Sequence, residues 1–296
     1  MINVFLICMF NLEEKIQGSK LLKELKGEKD LPWVPGENER FRGMTFKDAS
    51  VISGNAHKLR PDTIPLARPP KTNISIPMSY NFTERFPQCD FGVLDQGKCG
   101  SCWSFAVSKS FSHRYCRKYN KPVLFSQSHL VACDRRNSGC GGGIEVNAWR
   151  YIDLRGLPLD SCQPYDVNMT KYNCSKKCIN ESETYEAKFT EYWSVVRYAS
   201  IEEMQIGIMT EGPVTTSLKV YSDLMYYKSG IYTHTKGEFL GHHAVEIIGW
   251  GTKNGIDYWI ISNSWNTTWG MNGLFLIKRG VNECHIEDYV CAGKVK

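Results

Sequence analysis

The spacing of hydrophobic residues changes twice along the 296-residue chain and divides it into three zones. The first zone, from residue 11 to about 75, begins with the charged stretch EEKIQGSKLLKELKGEKD, which predicts a helix. A loop-like run without cysteine follows, and its prolines indicate a linker or a removable segment. These prolines are Pro32, Pro35, Pro61, Pro65, Pro69 and Pro70.

The second zone extends to about residue 185 and contains nine cysteines. Its stretch SCWSFAVSKSFSHRYC places a bulky apolar or aromatic residue at every fourth position from Trp103 to Tyr115, which predicts one face of a buried helix. A Gly-Ser pair precedes Cys102, so this cysteine is expected in the first turn of that helix. Backbone N–H groups there favour an anion and therefore a thiolate.

The third zone consists of short β-branched and aromatic runs separated by glycine and asparagine. HHAVEIIGWG, IDYWIISNSW and NGLFLIKRG each predict a strand of a sheet or barrel. A helical half with a reactive thiol and a β half with histidines together predict one site in the cleft between them.

Composition and charge exclude several classes of protein. With 42% hydrophobic and 23% charged residues the chain is an ordinary globular one, and its net charge of +5 forms no basic stripe for nucleic acid. The apolar run Ile2–Phe10 is too short to span a bilayer and predicts a signal peptide over residues 1–17. A misassigned start of the chain is the alternative.

The cysteine count indicates an oxidising compartment. Loss of Cys8 with a signal peptide leaves eleven cysteines, and an odd number predicts one free thiol and five bridges. Six N-x-[ST] sequons agree weakly with passage through the secretory pathway. By spacing alone, Cys99 and Cys102 could form a redox dithiol or half of a zinc site as well as a structural and a nucleophilic cysteine.

The stretch QGKCGSCW, residues 96–103, resembles the nucleophile motif of the papain-like cysteine proteases. His243 and Asn263 lie 141 and 161 residues after Cys102, as that family requires. The resemblance extends from about Ile76 to Gly293. It is closest to the cathepsin B type through VYSDLMYYKSGIY, GWGTKNGIDYWIISNSWNTTWGMNG and CHIEDYVCAG.

The resemblance implies an α+β, two-lobed fold with the active-site cleft between the lobes. Residues 85–185 would form the helical lobe, and residues 186–290 a β-barrel-like lobe that an N-terminal strand crosses to join. Residues 18–75 would be an inhibitory propeptide and residues 76–296 the mature peptidase. Cutting is expected just before Ile76 or a few residues earlier, after acid weakens the charge contacts of the propeptide.

The resemblance also assigns the catalytic roles. Cys102 would be the nucleophile, and His243 its ion-pair partner and the general acid. Asn263 would orient the imidazole, and Gln96 would donate to the oxyanion. Of the adjacent histidines only one can face the cleft, because neighbouring strand residues point to opposite sides; the resemblance selects His243, and His242 departs from the family pattern.

Substrate contacts are expected from Gly142, Gly143, Glu145, Ala244, Trp265 and Tyr289. Trp265 would also shield the His–Asn bond from water. Tyr289 stands where cathepsin B has a glutamate that accepts arginine, whereas Glu145 stands where the family has a proline. Glu145 could therefore form an acidic lip on the pocket, or it could be a solvated carboxylate on a helix.

Five disulfides follow from the resemblance or from what it leaves over. Cys99 would pair with Cys140, Cys89 with Cys116, Cys133 with Cys174, and Cys162 with Cys178. The remaining Cys284 and Cys291 are paired as the fifth bridge. Only eleven residues lie between Cys162 and Cys174, so the loop that blocks one end of the cathepsin B cleft is expected to be absent.

These features predict a cysteine endopeptidase made as an inactive zymogen and located in a lysosome-like compartment or secreted. It would need no cofactor or metal and act as a monomer on proteins and peptides. Its propeptide, and cystatin-like inhibitors, would block it. The alternatives are a catalytically silent, protease-like peptide-binding protein and a thiol oxidoreductase that uses Cys99 and Cys102.

Overall fold

The computed structural model describes residues 11–54, 64–67, 74–167 and 173–296, so the apolar core of the expected signal peptide lies outside the described residues. The helices are α1 Lys20–Gly27, α2 Phe46–Ser53, α3 Phe82–Arg85, α4 Cys102–Tyr119, α5 Gln127–Cys133, α6 Glu145–Arg155 and α7 Ile201–Thr210. The strands are β1 Trp33–Pro35, β2 Tyr80–Asn81, β3 Leu157–Pro158, β4 Ala187–Lys188, β5 Val196–Arg197, β6 Val214–Tyr221, β7 Tyr227–Tyr232, β8 Phe239–Lys253, β9 Ile256–Ser262, β10 Leu274–Lys278 and β11 Cys291–Ala292. None of the helices described is long and apolar enough to cross a bilayer.

The first zone is folded over residues 11–54, and the prediction of a linker is wrong for residues 33–54. The charged stretch does form α1, whose N-cap hydroxyl of Ser19 accepts a hydrogen bond from the Leu22 N–H. Beyond it, α2 starts with a capping box formed by Thr45 and Asp48. Apolar side chains of this zone belong to the main core, because burial does not require a crosslink. They include Trp33, Phe41, Phe46, Ala49 and Ile52.

Helix α4 confirms the predicted buried helix, and its burial extends beyond the expected face. Polar residues on its other sides are also buried and find partners in the β half. Lys109 donates to Ser262 Oγ at 2.7 Å, and His113 Nδ1 lies 2.7 Å from a carboxylate oxygen of Glu246. Pairing of buried charged groups fixes how α4 sits against the sheet.

The sheet joins the third zone to segments from the start of the chain. Its strand order is β1-β7-β10-β9-β8-β6-β11-β5, and β2 pairs with β8 beside this path. In that pairing Tyr80 lies opposite Trp250, which is the expected crossing of an N-terminal strand into the β lobe. Among the described strands the path is open, and the fold is α+β.

Four of the five expected disulfides form: Cys89–Cys116, Cys99–Cys140, Cys133–Cys174 and Cys162–Cys178. The Cys284–Cys291 pairing is wrong, and both are free, buried thiols like Cys102. Cys284 lies in a tight turn, with its sulfur 3.4 Å from the Glu283 carboxylate. Cys291 is held in β11, with its sulfur 3.5 Å from the Thr215 hydroxyl. Each sulfur therefore has its own polar neighbour.

We expect three alkylatable thiols in the protein unfolded without reductant, namely Cys102, Cys284 and Cys291, with Cys8 as a fourth if its segment is retained. Peptide mass mapping after alkylation measures this. Serine at both positions 284 and 291 should lower the count by two. A peptide containing a Cys284–Cys291 bridge would contradict the structure.

Candidate active site

Cys102 is the first residue of α4, and the chain before it is held by a disulfide. The Cys99–Cys140 bridge and a hydrogen bond from the Gly100 N–H to the Cys140 carbonyl (3.0 Å) fix the turn that leads into the helix. A side chain at position 100 would place its Cβ 2.5 Å from that carbonyl, so glycine is required there. Because Cys99 is bridged elsewhere, the redox dithiol with Cys102 does not form.

His243 and Asn263 meet from two neighbouring strands. The ring Nε2 of His243, on β8, donates to Asn263 Oδ1 at 2.7 Å. The same oxygen accepts from the Ser264 N–H at 2.7 Å, which fixes the amide. Trp265 stacks on the imidazole with ring centroids 4.5 Å apart, and both side chains are fully buried. Since Nε2 is engaged, Nδ1 is the nitrogen left for the thiol.

His242 faces the other side of β8. It is half-buried beside Phe239, at 5.2 Å between ring centroids, and its pKa is lowered by burial and by the nearby Lys219 and His285 charges. The alternation of strand side chains thus separates the two histidines as the sequence predicted.

Gln96 presents its amide nitrogen to the cleft. Nε2 donates to the carbonyls of Cys99 and Ile52, both at 2.7 Å. Its side-chain oxygen accepts from the Ser264 hydroxyl at 2.7 Å, so the amide cannot turn over without losing partners. Ser264 has no signal in the sequence beyond following Asn263, and its role emerges only from the fold.

The end of α2 lies across these groups. The Cys102 thiol donates to the Ser53 carbonyl at 3.3 Å, next to the Ile52 carbonyl bound by Gln96. Gly54 follows at φ 75°, and a Cβ there would lie 3.1 Å from the Cys102 sulfur. Phe41 packs edge-on against Trp265 at 5.5 Å. The first zone therefore covers the site.

Covering the site changes the electrostatics of the pair. Burial raises the pKa of Cys102 to about 12, and the Glu145 carboxylate adds to this, against backbone N–H groups that include that of Ala244. Burial lowers the pKa of His243 to about 4, opposed by its bond to Asn263. Both shifts favour a neutral thiol and a neutral imidazole, so the expected ion pair is disfavoured while the cleft is covered.

Glu145 is buried at the start of α6, and the reading of a solvated carboxylate is wrong. The Ser217 hydroxyl donates to it at 2.5 Å, and burial raises its pKa. Its charge raises the pKa of both Cys102 and Cys291, so the carboxylate lies near both sulfurs. Ser217 lies opposite Ala244, which follows His243 in the sequence motif. Ser217 itself belongs to no motif, so the sequence did not point to it.

Gly142, one of the other expected substrate residues, lies next to the segment that covers Cys102. A Cβ added to Gly54 would lie 3.8 Å from the Gly142 Cα. A Cβ on Gly143 would lie 2.7 Å from the Trp103 ring, so glycine allows the chain to pass. Tyr289 is half-buried two residues before Cys291.

No cluster of three or more metal-ligating side chains occurs within the parts of the chain that the structure describes. Cys99 is bridged to Cys140, so it is no zinc ligand here.

Loosening the segment over Cys102 should expose the thiol. We expect Gly54→Ala to raise the rate of iodoacetamide labelling of Cys102 in the full-length chain at least tenfold at pH 7, because its Cβ meets the sulfur. Gly43 has the same φ of 75° and no neighbour within 4 Å of a Cβ, so Gly43→Ala controls for backbone strain. Release of the segment should increase the rate further, since it lowers the pKa of the thiol. Equal rates in both variants would contradict this.

A family model for the papain family cysteine proteases matches residues 76–294. Cathepsin B-like CP2 of Giardia intestinalis is 37% identical over 268 residues, which cover 88% of this chain and 89% of that protein. Cathepsin B of Dictyostelium discoideum is 36% identical over 235 residues, covering 74% of this chain and 75% of that protein.

The solved structure of proCathepsin B S9 from Trypanosoma congolense superimposes with a TM-score of 0.89 at 29% identity, covering 96% of this chain and 100% of that one. The two-lobed fold predicted from the sequence is thereby confirmed. The matches in sequence and in structure agree, and the chain belongs to the papain family of cysteine proteases, with a likeness to its cathepsin B-like members.

Proposed function

We propose that this chain is the zymogen of a cysteine endopeptidase, in which residues 18–75 inhibit and residues 76–296 form the enzyme. The observation that carries the proposal is the contact of two successive carbonyls with the catalytic groups. The Ile52 carbonyl accepts a hydrogen bond from the Gln96 amide, and the Ser53 carbonyl accepts one from the Cys102 thiol. A peptide backbone thus occupies the place where a scissile bond would lie.

In the mechanism we propose, Cys102 gives its proton to His243 Nδ1 and the thiolate attacks the substrate carbonyl carbon. The Gln96 Nε2–H and the Cys102 N–H stabilise the oxyanion. The imidazolium then protonates the leaving amine as the C–N bond breaks, which gives an acyl-enzyme. Water, deprotonated by the imidazole, releases the acid and restores the thiol. Asn263 keeps the ring oriented throughout.

The same chemistry explains why the covering segment can survive in the site. Attack requires the thiolate, and burial under the segment raises the pKa of Cys102 to about 12. Acid release rests on few charges, because among the described residues two ion pairs cross from the segment to residues 76–296. These are Arg40–Asp95 at 3.5 Å and Glu28–Lys236 at 2.5 Å. Protonation of the two carboxylates would remove both.

Endopeptidase action is proposed because nothing in the sequence supplies an insertion that would close the cleft. Residues 168–172 of the short Cys162–Cys174 segment lie outside the described residues. Val167 packs against the turn at Gly97, where a Cβ would lie 2.1 Å from the Val167 carbonyl. A groove open at both ends would accept a chain passing through, and would admit cystatin-like inhibitors.

The four disulfides favour the secretory pathway, with action in a lysosome-like compartment or outside the cell. We propose a monomer that acts on proteins and peptides without cofactor, metal or nucleic acid.

The decisive experiment compares internal cleavage of one peptide with a free and an amidated C-terminus, using acid-processed protein. We expect similar kcat/KM for both forms, because a cleft open at both ends has no need of a terminal carboxylate. Cys102→Ser should abolish cleavage, and Gln96→Ala should lower kcat about 100-fold through loss of one oxyanion donor. A large preference for the free carboxylate with successive release of dipeptides would contradict endopeptidase action. Peptide binding without cleavage would favour the silent binder.

At the second residue before the cut we expect Leu, Val or Phe to be preferred, with Arg accepted through Glu145. Burial raises the pKa of Glu145, so its charge develops only as the pH rises through that raised value. The ratio of kcat/KM for Arg over Leu substrates should therefore increase with pH. Glu145→Gln should lower that ratio about tenfold at pH 7, or ~1.4 kcal/mol, and remove its pH dependence.

Ser217→Ala provides the matched test of this assignment. The Ser217 hydroxyl donates to the Glu145 carboxylate and lowers its pKa. Loss of this hydroxyl should therefore shift the rise in the Arg-over-Leu ratio of kcat/KM to higher pH. Strict selectivity for Arg that survives Glu145→Ala would exclude Glu145 as its source.

A further inference from the structure

Residues 64–67 lie against the outer edge of the sheet and form a single β-bridge with it. Leu66 pairs in parallel with Arg197 of β5, the last strand of the sheet order. The Arg197 N–H donates to the Pro65 carbonyl at 2.9 Å, and the Ala67 N–H donates to the Arg197 carbonyl at 2.7 Å. The other edge of β5 pairs with β11. These four residues therefore satisfy the main-chain groups that Arg197 directs away from the sheet.

The surface beside this edge carries exposed aromatic side chains, with charged groups such as Glu203 and Lys294 around them. Trp193 and Tyr192 are 72% and 68% exposed and pack edge to face, with centroids 5.2 Å apart. Trp193 lines two cavities, of about 630 and 410 Å³, and Pro65 lines both as well. Exposed apolar surface of this kind is typical of an interaction site. The Trp193 N–H donates to Asp153 Oδ2 at 3.3 Å, which helps to hold the turn at φ 59°.

The edge would lose its occupant on maturation, which rests on the proposed removal of residues up to about 75. Arg197 would then present an unpaired N–H and C=O beside Trp193, and such an edge is a template for another extended chain. β6 and β11 separate β5 from β8, the strand of His243, so β5 lies about 14 Å away across the sheet. The ten Cα–Cα steps from Gly54 to Ile64 can span about 33 Å when extended. One polypeptide can therefore reach both the catalytic site and this edge.

We propose that the outer edge of β5 beside Trp193 is an exosite of the mature protease that binds an extended segment of a protein substrate. The occupant pairs with this edge, as residues 64–67 do in the precursor. Ile64 and Ala67 pack against the main core, whereas Leu66 is 51% exposed. The site therefore selects apolar or small residues at the first and fourth positions, and it needs an N–H at the fourth. Because recognition there rests on main-chain pairing, the site tolerates different side chains at the third position.

The exosite separates long substrates from short ones. A protein with an apolar extended segment about ten residues from the cut occupies both places and gains effective concentration at the cleft. A dipeptidyl substrate reaches only the cleft and gains nothing.

The test uses the mature protein with Cys102 blocked by an irreversible epoxide, so that the cleft neither binds nor cuts the probe. The probe is the fluorescently labelled peptide TIPLAR, the sequence of residues 63–68, followed by anisotropy. We expect saturable binding that Trp193→Ala weakens at least fivefold. Ile179→Ala, which alters a side chain as exposed as Trp193 (73%), should change it less than twofold. N-methylation at the alanine that corresponds to Ala67 removes the donated bond and should weaken binding about fivefold.

A second measurement joins binding to catalysis. In the unblocked enzyme the same peptide should slow hydrolysis of an unfolded protein at least twofold and leave kcat/KM for a dipeptidyl substrate unchanged. Absent or non-saturable binding, binding indifferent to Trp193→Ala, or inhibition of the short substrate would overturn the exosite. So would a mature N-terminus that precedes Ile64, since the edge would then stay occupied. Failure of the proposed function would show itself separately, because the epoxide would then not label Cys102.

Discussion

Helix α4 packs against strand β8, and the positions of the proposed nucleophile and of its imidazole partner follow from that contact. Cys102 begins α4 and His243 lies on β8, so the thiol and the imidazole are brought to one cleft by two rigid elements. The contact is held by polar groups without access to water. His113 and Glu246 form a pair in which both side chains are about 1% exposed, and Lys109 reaches Ser262. Removing one partner would leave the other buried polar group without its hydrogen bond, at a cost of about 1–3 kcal/mol, so the lobes are held firmly in register.

The other side of the site is arranged by a chain of hydrogen bonds around Ser264. Its N–H holds the Asn263 amide, and its hydroxyl holds the Gln96 amide. One residue thereby orients both the group that positions the imidazole and the group that faces the substrate carbonyl. Preorganisation of this kind needs no rearrangement during the reaction, which is why it favours the transition state.

In the zymogen that we propose, the first zone uses the same groups to silence the site. It presents carbonyls to Gln96 and Cys102, and it excludes water from the pair. Exclusion of water disfavours both the Cys102 thiolate and the His243 imidazolium. Burial under the first zone would therefore block the cleft and also keep Cys102 as the unreactive thiol. Much of the interface is apolar and aromatic, as in the contacts of Phe41 and Trp33. Few charged groups lie in this interface, and Arg40 is the most buried of them, so protonation by acid would break few contacts.

The sequence by itself predicted the main helix and strands, because these depend on local spacing, and it supplied the candidate catalytic residues through a likeness to a known family. Trp103 to Tyr115 predicted α4, the alternating runs predicted β8 to β10, and QGKCGSCW singled out Cys102. Four disulfides followed from the likeness to a known family. The packed first zone was missed because prolines mark turns but do not reveal whether the apolar residues between them find a core. Cys284 and Cys291 were paired because they were left over, although each sulfur lies beside its own polar neighbour. The burial of Glu145, the role of Ser264 and the β-bridge formed by residues 64–67 were decided only by the tertiary structure. Each depends on groups more than 70 residues apart, or on an edge with no partner nearby in sequence, and local patterns carry no record of such contacts.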